Sequence, residues 1–392
     1  MNLKKLTMLF ALALALLASG CAGRRPARSQ GELMQLRKAH DELFAKMSRD
    51  AVQQLMQTVK VRYDRHPNDP PVVDLLVVSG GGDWGAFGAG FLKGWSRVQG
   101  PLARPRFDVV TGVSTGALIS PFAFLGDNES IDTIERLYRD PKKDWVKKRG
   151  PLYFLPSHES LATTPGLERD VRRMIDPALV RRIADQSTSG RQLLVNTTDL
   201  DDGGMWVWDL GHEAEQAAQN GNIDRVHRVF LASSGIPGAF PFREINGSPY
   251  VDGGVTGNIL YGGRFREDQS LPAVWAANYP NLPVPKVRFW VIFNNRLRPL
   301  PQVTEPTWIA VVSRSIEMGT RASTITAMRH LFAQAEISRM KRGGEFEVRV
   351  AAVPNDFVPP KAGTFVKETM NALADLGERM GADTNSWLTK IP

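Results

Sequence analysis

A nearly continuous apolar run that stops at a cluster of glycines occurs twice in quick succession, at residues 72–85 and 107–116, and nothing else in the chain limits the fold as strongly. VVDLLVVS, Val72 to Ser79, holds one charged residue, Asp74, and reads as a strand buried on both faces. GGGDWG, Gly80 to Gly85, turns the chain, and the small and apolar residues from Ala86 to Val98 suit a helix. FDVVT, Phe107 to Thr111, is a second strand; GVSTG, Gly112 to Gly116, ends it, and a helix is predicted to begin near Ser114. Strand, glycine turn and helix in tandem define an α/β layer, a central and mostly parallel sheet flanked by helices. With 392 residues, 42% of them hydrophobic, the chain can build one large domain of this kind with helical extensions at both ends.

The rest of the chain supplies further elements without internal repeats. Strands are predicted at residues 192–196, 205–208, 287–293 and 346–353, and helices at 222–233, 310–340 and 364–380. Before the first strand, Leu33, Leu36, Leu43, Met47, Val52, Leu55 and Met56 recur at the spacing of an amphipathic helix over residues 32–61. HPNDPP, His66 to Pro71, breaks that helix and marks the start of the main domain.

The two glycine turns are also where chemistry is expected. A serine hydroxyl needs exposure, a base, and donors for the oxyanion that forms when an ester is attacked. Gly112 and Gly116 permit the tight strand-to-helix turn that lifts Ser114 above a sheet. The plainer reading of the same serine is a helix N-cap. GGGDWG comes after a buried strand, so its backbone N–H groups can converge on a negative oxygen. Gly80, Gly82 and Gly85 also satisfy GxGxxG, the dinucleotide fingerprint, but that fold wants an acidic residue ending the second strand, and Asp108 opens it instead. Further on, YVDGG, Tyr250 to Gly254, leaves Asp252 on a tight turn before Gly253 and Gly254, which by itself describes a turn former.

The N-terminus reads as a secretory leader. Lys4 and Lys5 precede the apolar run Leu6 to Leu17, too short to span a bilayer comfortably, and small residues lead into Cys21. LASGC resembles the bacterial lipobox, whose cysteine is lipidated; Ala18 stands where that motif usually has a larger aliphatic residue. Cys21 is the one cysteine in the chain, so no internal disulfide can form. Loss of Lys4 and Lys5 takes the formal charge from +8 to +6, spread along the chain except for KKDWVKKR, Lys142 to Arg149. That run reads as a solvated face or as an attraction to anionic lipid; no nucleic-acid motif accompanies it. Ala22 after the cysteine, where an aspartate would resemble an inner-membrane retention signal, points to the outer membrane of a cell envelope.

Taken jointly, GGGDWG, GVSTG and YVDGG, with ASSGIPGAFPF before the last and LLVNTTDLDDGGMWVWDLG between, resemble the patatin-like phospholipases over about Val72 to Asn295. The resemblance implies a patatin-type α/β fold and a lipid acyl hydrolase of phospholipase A or lysophospholipase type. It implies Ser114 as nucleophile, Asp252 as base, and Gly81, Gly82 and Asp83 as oxyanion donors, Asp83 through its N–H. No cofactor and no metal is expected. The implied partners are a lipid ester substrate and a membrane reached through lipidated Cys21. In the family an arginine often precedes the last glycine of the loop; here that place is Trp84, expected either to line an acyl pocket or to pack. The alternative is a catalytically silent envelope lipoprotein of the same fold that binds lipid or a partner. A triad hydrolase would draw on His330, which comes after Asp252 in the chain. The expected organisation is a leader over residues 1–20, a tether and amphipathic helix over 21–70, a catalytic domain over 71–300 and a mainly helical segment over 301–392.

Overall fold

The computed structural model describes residues 25–69, 71–150, 158–262, 270–340 and 345–390; the expected leader and Cys21 lie outside the described residues. In chain order the strands are β1 (Val72–Val78), β2 (Val109–Val113), β3 (Lys147–Lys148), β4 (Ala162–Thr163), β5 (Gln192–Asp199), β6 (Gly204–Asp209), β7 (Arg243–Ile245), β8 (Ser248–Asp252), β9 (Lys286–Arg296) and β10 (Phe346–Val353). The helices are α1 (Gln30–Arg65), α2 (Gly85–Trp95), α3 (Thr115–Leu125), α4 (Asn128–Arg139), α5 (Pro165–Met174), α6 (Pro177–Ser187), α7 (Leu210–Asn220), α8 (Asp224–Ser233), α9 (Leu271–Asn278), α10 (Trp308–Met340) and α11 (Lys367–Ala382).

The α/β architecture expected from the tandem units is the one that forms. Five strands, β10, β9, β1, β2 and β5, run parallel in that order, and β6, β8 and β7 complete an eight-stranded sheet in antiparallel sense. Parallel neighbours need long crossovers, so helices cover both faces. Alternation along the strands sorts the core. Leu76, Val78, Trp290 and Ile292 pack with Phe87, Phe91 and Trp95 of α2 on one face, while Val73, Val77, Val291 and Phe293 pack with Val59 of α1 and Met328 and Leu331 of α10 on the other. The charged residue of β1 lies buried in this core and is saturated: Asp74 accepts from Arg288 Nε and Nη2 and from Trp290 Nε1, each at 2.7 Å.

The amphipathic helix forms, from Gln30 to Arg65, yet its apolar side chains are fully buried only at its second end: Leu55, Met56 and Val59 are buried, Phe44 packs half-buried against Val113, Val207 and Leu260, and Leu43 is exposed. The segment leading into the helix and its early turns are also held by charge, through ion pairs of Arg25 with Asp201 and of Arg37 with Asp202. Asp108 sits at the opposite edge of the sheet from GGGDWG, where its carboxylate accepts from the Asp74 N–H at 3.0 Å, so it cannot serve a nucleotide bound at the glycine loop. Within KKDWVKKR, Trp145 is buried and donates to Asp170, and the lysines face outward.

Candidate active site

The register of β5 explains how two motifs far apart in sequence meet. Along one side β5 pairs with β6 over Leu194 to Asp199. The other side is therefore shared: β2 pairs in parallel up to Val113 opposite Asn196, and β8 pairs in antiparallel sense up to Asp252 opposite Thr197. The two strands lie end to end, and Asn196 and Thr197 are consecutive. Ser114, the first residue beyond β2, and Asp252, the last residue of β8, must then face each other across one residue step.

Ser114 sits at the turn with φ 54° and ψ −121°, a backbone that only glycine adopts without strain. Its amide donates to Ser233 Oγ at 2.9 Å, and that hydroxyl donates on to Asn196 O at 2.7 Å. Asn196 Nδ2 in turn donates to Gly253 O at 2.9 Å and Gly257 O at 2.8 Å. One short network thus pins both ends of the junction. Gly116 is demanded by close approach, because a Cβ there would lie 2.2 Å from Val78 O.

The Ser114 side chain stands close enough to the Asp252 carboxylate to lower its pKa, and both residues are buried, so the serine is not exposed as the sequence suggested. Burial pushes the Asp252 carboxyl up to about 6; the neighbouring Ser114 hydroxyl and the hydrogen bond from the Gly254 N–H at 2.7 Å pull it back in part. A carboxylate in this condition is a stronger base than one in water and is still ionised at neutral pH.

The glycine loop borders the same pair. Where the β1 ladder ends, Ser79 N–H donates to Ile292 O, and Gly80 N–H donates to Asn258 O. Helical bonding resumes with Trp84 N–H on Gly81 O. Between them, Gly81, Gly82 and Asp83 carry the first amides of a helical start, which have no intrahelical acceptor and gather positive potential. Gly82 takes φ +60° with open space where a side chain would be, and a Cβ on Gly80 would stand 3.1 Å from that of Ser114. Gly85 lies against Thr115, the first residue of α3. The Asp83 carboxylate is turned away to the Phe365 N–H at 2.9 Å; burial raises its pKa, and N–H groups of Phe365, Asp83 and Trp84 oppose the rise.

Trp84 packs. Its ring meets Phe357 edge-on at 5.8 Å and lies under the Arg296 guanidinium at 4.7 Å. Sequence reading missed that β9 returns a cation to the place the loop lacks one, because the pairing depends on where a strand ends. His330 is exposed on α10, with Nδ1 at 2.9 Å from Tyr261 Oη and Nε2 at 3.2 Å from Gln334 Nε2. Asp252 faces the serine without it. Among the described residues no group of three His, Cys, Asp or Glu side chains could hold a metal, and no helix is long and apolar enough to cross a membrane.

Ser233 and Asn196 were also missed, although both lie in stretches that carried the resemblance; their signal is a small polar residue inside an otherwise apolar element.

Residues 76–262 match the family model described as patatin-like phospholipase. No curated protein matches. Among solved structures, that of VipD from Legionella pneumophila is similar with a TM-score of 0.35 and 13% sequence identity, over 78% of this chain and 67% of that one. The matched span begins in β1, contains GGGDWG, GVSTG and YVDGG, and ends past Asn258, so residues 76–262 of this chain are a patatin-like phospholipase domain.

Proposed function

We propose that the protein cleaves fatty-acyl esters of lipids through an acyl-enzyme formed on Ser114. The observation that carries this reading is the register of β5, which brings the end of β2 at Ser114 against the end of β8 at Asp252, a buried carboxylate whose pKa is raised to about 6. Asp252 takes the hydroxyl proton as Ser114 Oγ adds to the ester carbonyl. The oxyanion is received by the amides of Gly81, Gly82 and Asp83. Collapse expels the alcohol, which takes the proton from Asp252, and a water deprotonated by the same carboxylate then releases the fatty acid. The family supports lipid acyl hydrolysis in general; the class is of phospholipase A or lysophospholipase type, anchored in the cell envelope through Cys21.

A fluorophosphonate probe tests the reading. The wild-type chain is expected to gain one adduct on Ser114, located by peptide mass spectrometry, and Ser114→Ala none. A folded wild-type chain that stays unlabelled would favour the catalytically silent alternative. Hydrolysis of a panel of phospholipids, lysolipids and neutral esters then fixes the type.

A further inference from the structure

Helix α10 is turned inside out over its first three turns. It passes the C-terminal end of β9 at Arg321, whose Nη1 donates to Arg296 O at 2.8 Å. Beyond that point toward the chain's centre, Arg321, Thr324, Met328, Leu331 and Ala335 are buried against the body. Before it, residues 308–319 overhang the sheet edge by roughly 18 Å at the helical rise, and none is buried. In that overhang Trp308, Val311, Val312 and Ile316 take the i, i+3, i+4, i+8 spacing of one face, and all four point to solvent, with exposures of 62, 48, 47 and 43%. The charged residues take the other face. Arg314 donates to Glu317 at 2.9 Å and to Leu300 O at 3.2 Å, and Glu317 accepts from Arg321 at 2.6 Å. A helix that satisfies its charges inward and exposes its apolar stripe has no partner for that stripe among the described residues.

We infer that this stripe docks on a phospholipid bilayer surface and sets Ser114 and Asp252 at the lipid interface. The four side chains expose roughly 400 Å², about half the ~800 Å² per partner of a stable protein interface, but sufficient for shallow insertion with a tryptophan at one end. It is continuous with the site: a Cβ on Gly254 would lie 3.7 Å from Thr320 of α10, and Val255, next in the Asp252 turn, is 54% exposed. The N-terminal segment leaves at the same edge. Arg25 is fixed to Asp201 at 2.7 Å and to Gly247 O at 2.8 Å, beyond the C-terminal end of β5, the edge that also bears Ser114. The choice of lipid over other apolar surfaces rests on the reading of the site as a lipid acyl hydrolase; the stripe itself does not.

The test uses the full chain with Cys21→Ser, so that binding is not due to the anchor, and a single new cysteine carrying an environment-sensitive fluorophore. With vesicles of phosphatidylethanolamine and phosphatidylglycerol, the label at Val312→Cys is expected to shift to the blue and brighten at least about twofold, and the label at Glu336→Cys, further along the same helix, to stay unchanged. Trp308→Glu with Val312→Glu is expected to lose sedimentation with vesicles and to lower the ratio of vesicle-borne to monodisperse ester hydrolysis at least about tenfold. A folded protein whose label at 312 ignores vesicles overturns the inference. So does a blue shift that needs no lipid, disappears on dilution and accompanies a dimer on size exclusion, because a second copy would then cover the stripe. Vesicle binding without hydrolysis of any ester would retain the docking surface and remove the proposed activity; hydrolysis of monodisperse esters without vesicle binding would do the reverse.

Discussion

At the scale of single residues, the site is held in a condition that the fold opposes. Asp252 is buried with its pKa raised from 3.8 to about 6, so between those values the native state binds the proton and the unfolded state releases it. Its contribution to stability is full below about pH 4 and is lost as pH rises through about 6, a difference of about 3 kcal/mol. Asp252→Asn keeps the shape and the acceptor for the Gly254 N–H but carries no charge. It is expected to be more stable than wild type at pH 8, by up to about that amount, with the advantage gone at pH 4, while ester hydrolysis falls to background; urea denaturation at the two pH values checks it. Ser114 adds backbone strain at φ 54°. Ser114→Gly relieves it and is expected to raise stability by about 1 kcal/mol with no turnover. Ser233 acts on Ser114 only through the backbone amide, so Ser233→Ala is expected to lower kcat by about 10 to 100-fold with KM little changed; an unchanged kcat would show that the elbow holds its shape unaided. Ser114 and the glycine loop stood out as a candidate site because each motif ends a buried apolar run. Asp252 read alone only as a turn former, and Ser233 and Asn196 were not legible, since their roles arise from β5 pairing with β2 on one step and β8 on the next.

Among the elements, those with a continuous apolar run were read closely: β10 spans the predicted residues 346–353, and β1 ends one residue earlier than predicted. β2 was expected to stop at Thr111, yet it runs to Val113, because ladders from β1 and β5 on both sides carry Gly112 and Val113 in strand form. Helices α4 to α7 went unread, being short, with much of their apolar surface satisfied by neighbouring helices instead of the sheet. The contact of α2 with α11 was equally hidden, as it depends on glycines meeting backbone. A Cβ on Gly90 would fall 2.1 Å from Ala374 O and one on Gly377 2.1 Å from Phe87 O, so no side chain can move aside to make room. Gly377→Ala is therefore expected to destabilise the fold by about 2 to 4 kcal/mol, seen as a lower thermal midpoint. Because α2 begins at the glycine loop, hydrolysis should fall with it.

For the molecule as a whole, one edge of the sheet collects the residues of the candidate site: the glycine loop after β1, Ser114 after β2 and Asp252 at the end of β8, with Arg296 at the end of β9 and the overhang of α10 beside them. Ligands of open α/β sheets gather at the carboxyl ends of parallel strands, where helix N-termini point inward, and the arrangement obeys that rule. The sequence pattern revealed the layer but not the edge on which α10 would stand, since an exposed apolar stripe has the same spacing as a buried one. The central claim is that Asp252 itself draws the proton from Ser114, with no histidine between them. The pH dependence of the single-turnover acylation rate tests it most directly. The account predicts a rate governed by one ionisation near 6, level above it, and abolished by Asp252→Asn but untouched by His330→Ala. Acylation by Asp252→Asn at the wild-type rate, or loss of acylation in His330→Ala, would contradict it.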